Sequence, residues 1–477
     1  PEELRAALMA KAEGVPLFIE EVTKTLLDLG VLRRENGRYL MVKGAAEMSV
    51  PDTIQGIIMA RLDRLGEDGK RTVQLASVIG RQFLVRQLER IAEFHGRLEG
   101  LLHELKALEI IYEQGLLPEP AYIFKHAVIQ DVAYISLLVQ RRKELHRAVG
   151  YAIEELYPDR LGDRDEELAH HFSHGEEWPK AFEYLARSGD KAKFAYANQS
   201  ALDYYARALE AATRMQPPPP ARRILDIHRQ RSQVCSLIAR YDEAVAEGER
   251  MVGVARAARD RRAEGDAWAQ LAFAHLTALS WDQVPHVKRC AEEAGLIARE
   301  VGDEELLARA LHHLGSVDLM HGDLPEAEGK FMEALRIGEA GGFKAVTVQV
   351  RGQMALQAYW RGDFPAVVEI CRTTEEEARD IHDGFSELFS VAFRCLAHIG
   401  QGEHTEGLGV ISEGLAKARD RDNKFIIGRL TNTLGWLYQE LGDFTRAIEH
   451  DREAADLGRR IKNDNVEVSS LINLGFD

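Results

Sequence analysis

The sequence predicts an all-α protein, most of it an α-solenoid of stacked helical hairpins, with one small β-hairpin element ahead of the array. The first observation behind this is a fixed period. "HGDLPEAEGKFMEAL" from His321, "RGDFPAVVEI" from Arg361, "QGEHTEGLGVI" from Gln401 and "LGDFTRAIEH" from Leu441 begin 40 residues apart each time, and self-similarity at such a period marks a repeat array. Two earlier copies, "ARYDEAVAEGE" from Ala239 and "LSWDQVPHVK" from Leu279, extend the register backwards with one slip of three residues, giving six units. The second observation is a pair of small-residue columns. Nine positions before the anchors Tyr241, Trp281, Leu324, Phe364, His404 and Phe444 stand Ser232, Ala272, Gly315, Ala355, Cys395 and Gly435; three positions after them stand Ala244, Val284, Ala327, Val367, Gly407 and Ala447. Small side chains on both helices let two backbones approach closely, and a Gly-Asp turn supplies the C-cap of one helix and the N-cap of the next. The third is composition: of 477 residues 39 are Gly, only 14 are Pro and aromatics make up 7%, a balance that favours helices over sheets.

From the front, "PLFIEEVTKTLLDL" (16 to 29) places Leu17, Ile19, Val22, Leu26 and Leu29 mostly on one face of a helix, with Glu20 and Glu21 in its first two turns, where the helix dipole favours acids. In "GVLRRENGRYLMV" the Asn36-Gly37 pair is a strong β-hairpin signal. "SVPDTIQGIIMARLDRL" opens a helix capped by Asp52 or Thr53, "GEDGKRTVQLASVIG" supplies another, and further helices are expected through Leu108. A strand to Tyr112, a proline-containing loop, a strand at Ala121 to Phe124 and a helix from about His126 follow. Helices followed by a small hairpin suggest a winged-helix domain over residues 31–160, in which the wing packs against its neighbours rather than on DNA.

Residues 161–216 use the repeat grammar again. Ala169, the Trp178 anchor and Ala181 match the offsets, and Ala201, Tyr205 and Ala208 read as the second helix of a hairpin. "QPPPP" then places a stiff proline spacer at 217–220, because consecutive prolines lack amide protons and favour extended backbone. The main array runs from 221 to 477 and stops inside the first helix of another repeat, while the chain starts with Pro1, so both ends read as cut from something larger.

A formal net charge of −16 argues against a dominant nucleic-acid face. The basic run "RRKELHR" (141 to 147) reads as a solvated helix face. Cys235, Cys290, Cys371 and Cys395 stand far apart with no CxxC pairing, as in a reduced cytoplasmic protein. No apolar run approaches the roughly 20 residues that span a bilayer, so no membrane association is expected.

The repeat spacing resembles tetratricopeptide repeats, lengthened to 40 residues. "GVPLFIEEV", "VPDTIQGIIMARLDRL", "LASVIGRQF" and "YIFKHAVIQDVAYISLLVQRRKELHRAVGYAIEELYP", in that order and ahead of such repeats, resemble bacterial class III adenylate/guanylate cyclases fused to a STAND-type, AAA-like ATPase. The resemblance implies that residues 1–30 close an ATPase module as a lid helix, and that the parent protein binds ATP through a module upstream of this chain. The chain itself contains no GxxxxGK[ST] phosphate loop and none of the paired aspartates of a cyclase domain, so no catalytic site is expected within it. The family's Gly-Asn-Pro motif falls on Gly14, Val15 and Pro16, which makes Gly14 and Pro16 the candidate nucleotide contacts; Val15 replaces the usual Asn. Pro16 reads equally as an ordinary first helical residue.

The expected role is regulatory and scaffolding. The chain would transmit nucleotide state and bind a protein or peptide ligand, or self-associate, through its repeats. Two other readings compete: a fragment of a MalT-like or LuxR-type ATP-dependent transcription regulator, and a free-standing repeat adaptor. Trp268, Trp360 and Trp436, in first helices of the array, are the candidate partner-binding anchors, with core packing expected for two of the three. His170 and His174 are spaced for a helical metal site but lack a third ligand at a fixed spacing, so packing or solvent-facing roles are preferred. His126, Gln130, Asp131 and Tyr134 read as a hydrogen-bond network rather than an active site, since no nucleophile accompanies them.

Overall fold

Proline 16 opens the first helix of the computed structural model, which describes residues 16–28, 31–35, 38–41, 53–92, 96–115, 119–278 and 281–476. The chain forms two compact units, residues 1–184 and 185–477.

In the first unit, helix α1 (Pro16–Asp28) leads into an antiparallel pair, β1 (Leu32–Glu35) and β2 (Arg38–Met41), in the register expected around Asn36-Gly37, with Leu32 opposite Met41. Asn36 and Gly37 lie outside the described residues. Thr53 caps α2 (Ile54–Leu62) by accepting from the Gly56 amide, and α3 (Glu67–Ile79) follows. The expected run of helices through Leu108 is interrupted by a three-residue strand, β3 (Gln82–Leu84), before α4 (Val85–Ile91) and α5 (Leu98–Ala107). Three residues are too few for alternation to be read, and the strand exists because β5 is there to pair with it. Gly80, at a φ of 152° that a side chain would disfavour, releases the chain from α3. Strands β4 (Ile111–Glu113) and β5 (Ala121–Phe124) complete an antiparallel sheet of order β3-β5-β4. Phe83 and Phe124, both buried, meet at 5.7 Å between ring centroids. Helices α6 (Ala127–Ile135), α7 (Val139–Leu156) and α8 (Asp165–His174) close the unit, and α9 (Trp178–Phe194) begins in it.

The second unit is an α-solenoid of tetratricopeptide-like hairpins. It contains α10 (Asn198–Thr213), α11 (Ala221–Leu237), α12 (Tyr241–Ala258), α13 (Arg261–Thr277), α14 (Val284–Val301), α15 (Glu304–His321), α16 (Leu324–Gly341) and α17 (Lys344–Trp360). It continues through α18 (Phe364–Asp380), α19 (Gly384–Gly400), α20 (His404–Asp420), α21 (Lys424–Glu440), α22 (Phe444–Arg460) and α23 (Asp464–Leu474). Compact division falls after Tyr184 and not at the proline run, so α10 and α11, on either side of those prolines, share one unit.

Both small-residue columns are buried where first and second helices cross. A Cβ on Gly315 would stand 2.7 Å from the Phe331 ring, and one on Gly435 would collide with the Asp451 carboxylate. The turns within hairpins use Gly322, Gly362, Gly402 and Gly442 at positive φ, and Asp363 and Asp443 cap the helices that follow. The turns between hairpins repeat too: Asp260, Asp303, Asp383, Asn423 and Asn463 each accept an amide from the helix they precede. The four cysteines are buried free thiols, and no helix among the described residues is long and apolar enough to cross a membrane.

Candidate functional site

Superhelical winding brings the two ends of the array together. Asn198 donates its side-chain amide to the Arg421 carbonyl at 3.1 Å, and Asn463 donates to the Ala278 carbonyl at 3.0 Å. Phe194 meets His382 at 5.2 Å, and Phe273 meets Phe385 at 6.1 Å, both edge to face. The first helices of successive hairpins line a groove.

Its aromatic part encloses about 500 Å³ and its polar part about 930 Å³; both are bounded by Phe273, Gln349 and Phe385, where they meet. In the aromatic part a helical stripe at i, i+4, i+7 and i+11 faces inward from each wall helix: Gln349, Gln353, Leu356 and Trp360 on α17, and Phe425, Arg429, Asn432 and Trp436 on α21. Between them Phe385, Phe389 and Phe393 of α19 meet in sequence, the first pair stacked at 5.9 Å and the second tilted at 4.7 Å between centroids. Gln349 and Gln353 make no side-chain hydrogen bond among the described residues. An aromatic floor studded with uncommitted carboxamides can bury side chains while pairing with an extended backbone.

The polar part is held by ion pairs, Arg309 to Asp266 at 2.7 Å and Arg421 to Glu387 at 2.6 Å. Lys193 differs: its ammonium donates to the side-chain oxygens of Gln230 and Gln233, and desolvation draws its pKa down to about 8. His312 and His313, on α15, are kept neutral by burial, which draws both pKa values down.

Of the three candidate anchors, Trp360 and Trp436 line the groove, the former 48% exposed. Trp268 does not. It is buried in the core between α12, α13, α14 and α15, under the Arg256 guanidinium, because it lies about 140° around α13 from the groove residue Phe273. Gly14 lies outside the described residues, as does the side chain of Pro16, whose backbone begins α1.

The other polar clusters are internal to the first unit. Glu20 and Glu21 fall in the second turn of α1; Glu21 is buried against Arg61 at 2.7 Å, and Glu20 binds Lys125 at 2.8 Å. That pairing, foremost with Lys125 and then Lys24, holds the Glu20 carboxyl down at about 2. Side-chain oxygens of Glu20 and Glu21 come near His126, but both carboxylates already face cations. Gln130 donates to the Ser77 carbonyl, and Tyr134 meets His146 at 3.0 Å. His146 in turn meets His171 at 3.0 Å, with the His170 and His174 rings tilted against each other at 4.2 Å beside them. His146 had no distinguishing signal in the sequence; packing of α7 on α8 brings it in. The basic run from Arg141 is likewise engaged: Lys143 pairs with Glu176, and Arg147 donates to the Gly175 carbonyl.

No protein-family model matches the chain. The uncharacterized protein R02095 of Rhizobium meliloti (strain 1021) is 27% identical over 148 residues, covering 30% of this chain and 13% of that protein, so the match spans only a small part of that relative's length. Among solved structures, a STAND protein with a tetratricopeptide repeat sensor from Pyrococcus horikoshii covers 98% of this chain and 72% of its own, at 14% identity and a TM-score of 0.39. A Rap protein complexed with competence and sporulation factor covers 86% of this chain and 98% of its own, at 13% and 0.48. The apo form of the quorum sensor NprR from B. thuringiensis covers 85% and 99%, at 13% and 0.45. The likeness is one of helical-repeat fold.

Proposed function

We propose that this chain is a non-catalytic sensor region of a cytoplasmic, cyclase-like STAND ATPase, and that the groove of its repeat array holds an extended peptide segment of a protein or peptide ligand. The observation that carries the ligand reading is the groove wall itself, where Phe385, Phe389 and Phe393 on α19 line the same pocket as the amides of Gln349 and Gln353 on the neighbouring α17, which make no side-chain hydrogen bond among the described residues. Apolar pockets with a few placed polar groups fix both affinity and register. The test is selection of randomised hexapeptides on the immobilised full chain, followed by titration of the recovered sequence. Phe389→Ala and Gln353→Ala should each weaken binding; recovery of no peptide, or equal binding by both variants, would reject the groove.

The ATPase link rests on the resemblance of residues 1 to about 216. In the first unit the order helix, strand, two helices, two strands, with sheet order β3-β5-β4, supports the winged-helix reading. Bound ATP would be held by residues of the upstream module, with Gly14 and Pro16 at its edge, and the first unit would carry its state to the array. Titrating ATP against the polypeptide that includes that module checks the edge contact: Pro16→Ala should lower affinity, and an unchanged affinity would exclude it.

A further inference from the structure

Among the described side chains lining the aromatic part of the groove, Arg429 alone carries a permanent charge. Its guanidinium donates to the side-chain oxygens of Asn465 at 3.1 Å and Ser469 at 3.4 Å, and among the described residues it forms no ion pair. Elsewhere in the same unit arginines at the groove are neutralised, Arg309 by Asp266 and Arg421 by Glu387. A partly buried cation left with only neutral acceptors forgoes the attraction of a counter-charge, and an incoming anion supplies it. Enclosure by the groove wall draws the guanidinium pKa down from the ordinary arginine range, in the direction expected of a cation that lacks a counter-charge.

The surroundings narrow the anion. Phe425 and Trp436 share the inward stripe of α21 with Arg429, and Tyr359 faces the same pocket from α17. A fully hydrated polyanion such as a free phosphate would leave these apolar walls unused. A carboxylate attached to an apolar body uses both, since a guanidinium fork matches a carboxylate in two parallel hydrogen bonds. Resting on the peptide reading of the groove, we infer that Arg429 is the specificity-determining residue that binds a carboxylate of the peptide ligand, with the adjoining apolar side chain seated among the groove aromatics. The carboxylate is either the peptide's C-terminus or an Asp or Glu side chain next to an apolar residue.

Three synthetic hexapeptide pools, passed over the immobilised full chain and read by mass spectrometry, test this. The first has a free C-terminus and no Asp or Glu, the second is C-terminally amidated without acids, and the third is amidated with one Asp or Glu. Retention of the first identifies a terminal carboxylate and retention of the third a side-chain one, while the second should pass through. Binding of a recovered peptide should weaken by at least about thirtyfold in Arg429→Gln, the loss expected when one member of a desolvated charge pair is removed. Arg429→Lys keeps the charge without the fork and should fall between the two; it serves as the comparison if the glutamine variant does not fold by circular dichroism. Equal retention of the neutral amidated pool, or undiminished binding by both variants, would overturn the role of Arg429 while leaving the groove reading intact. Retention of no pool by the unmodified chain would overturn both.

Discussion

Asn463 donates its side-chain amide to the carbonyl of Ala278, 185 residues earlier in the chain, while its side-chain oxygen caps Val466 at the start of α23. One residue thus starts a helix locally and latches the superhelix at long range. Asn423, one repeat earlier, caps Ile426 in the same way, but its buried amide nitrogen has no partner among the described residues.

That contrast yields the first prediction. Serine keeps the capping oxygen and removes the amide donor, so Asn463→Ser should cost about 1–3 kcal/mol in urea unfolding, since the Ala278 carbonyl is left buried without a donor. Asn423→Ser loses only an unsatisfied group and should stay within about 0.5 kcal/mol of the parent. Equal effects at the two positions would mean that the latch contributes nothing.

Glycines in the array divide by what surrounds them. Gly315→Ala would push a methyl into the Phe331 ring, 2.7 Å away, and should destabilise by about 1–3 kcal/mol through overpacking. Gly329, exposed on α16 with nothing within 4 Å, should gain about 0.5–1 kcal/mol as alanine from the lower entropy cost of ordering a helix residue. Thermal unfolding of the two variants should shift in opposite directions.

The buried histidines of the first unit set a pH dependence. Desolvation, then the neighbouring His174 and His170, draws the His146 pKa down to about 3, and His171 is likewise lowered by burial. Both are neutral in the folded protein, whereas unfolded histidines take up protons below about pH 6.5. The unfolded state therefore binds more protons, and stability falls as pH drops from about 6.5 toward the folded values, at up to about 1.4 kcal/mol per unit for each group. Hydrogen exchange of the α7 and α8 amides should show protection lost between pH 7 and pH 5, more gently in His171→Leu. Protection that does not change over this interval would show that these rings protonate in place.

The tryptophans test core against groove. Trp268→Ala should destabilise by about 3–5 kcal/mol by opening a cavity in the core. Trp360→Ala, at a half-exposed site, should stay within about 1 kcal/mol in urea unfolding yet weaken binding of a selected peptide. A large stability loss at Trp360 would assign it to packing instead.

Much of the fold follows from local pattern. The 40-residue period, the small columns ending in Gly435 and Ala447, the Thr53 cap and the Asn36-Gly37 hairpin register are all decided by neighbours close in sequence, and they can be read there. Strand β3 could not be, because its pairing partner lies some forty residues downstream. The groove was half legible. The register already places Arg309, Gln349, Phe389, Arg429 and Ser469 in one column, and its change of chemistry from repeat to repeat, beside columns that stay small, was the available signal. Only the superhelix decides that this column faces a lumen while Trp268 faces the core. The rotation between successive hairpins is a small packing angle, and its sum over the array fixes which residues meet, as Asn463 and Ala278 do.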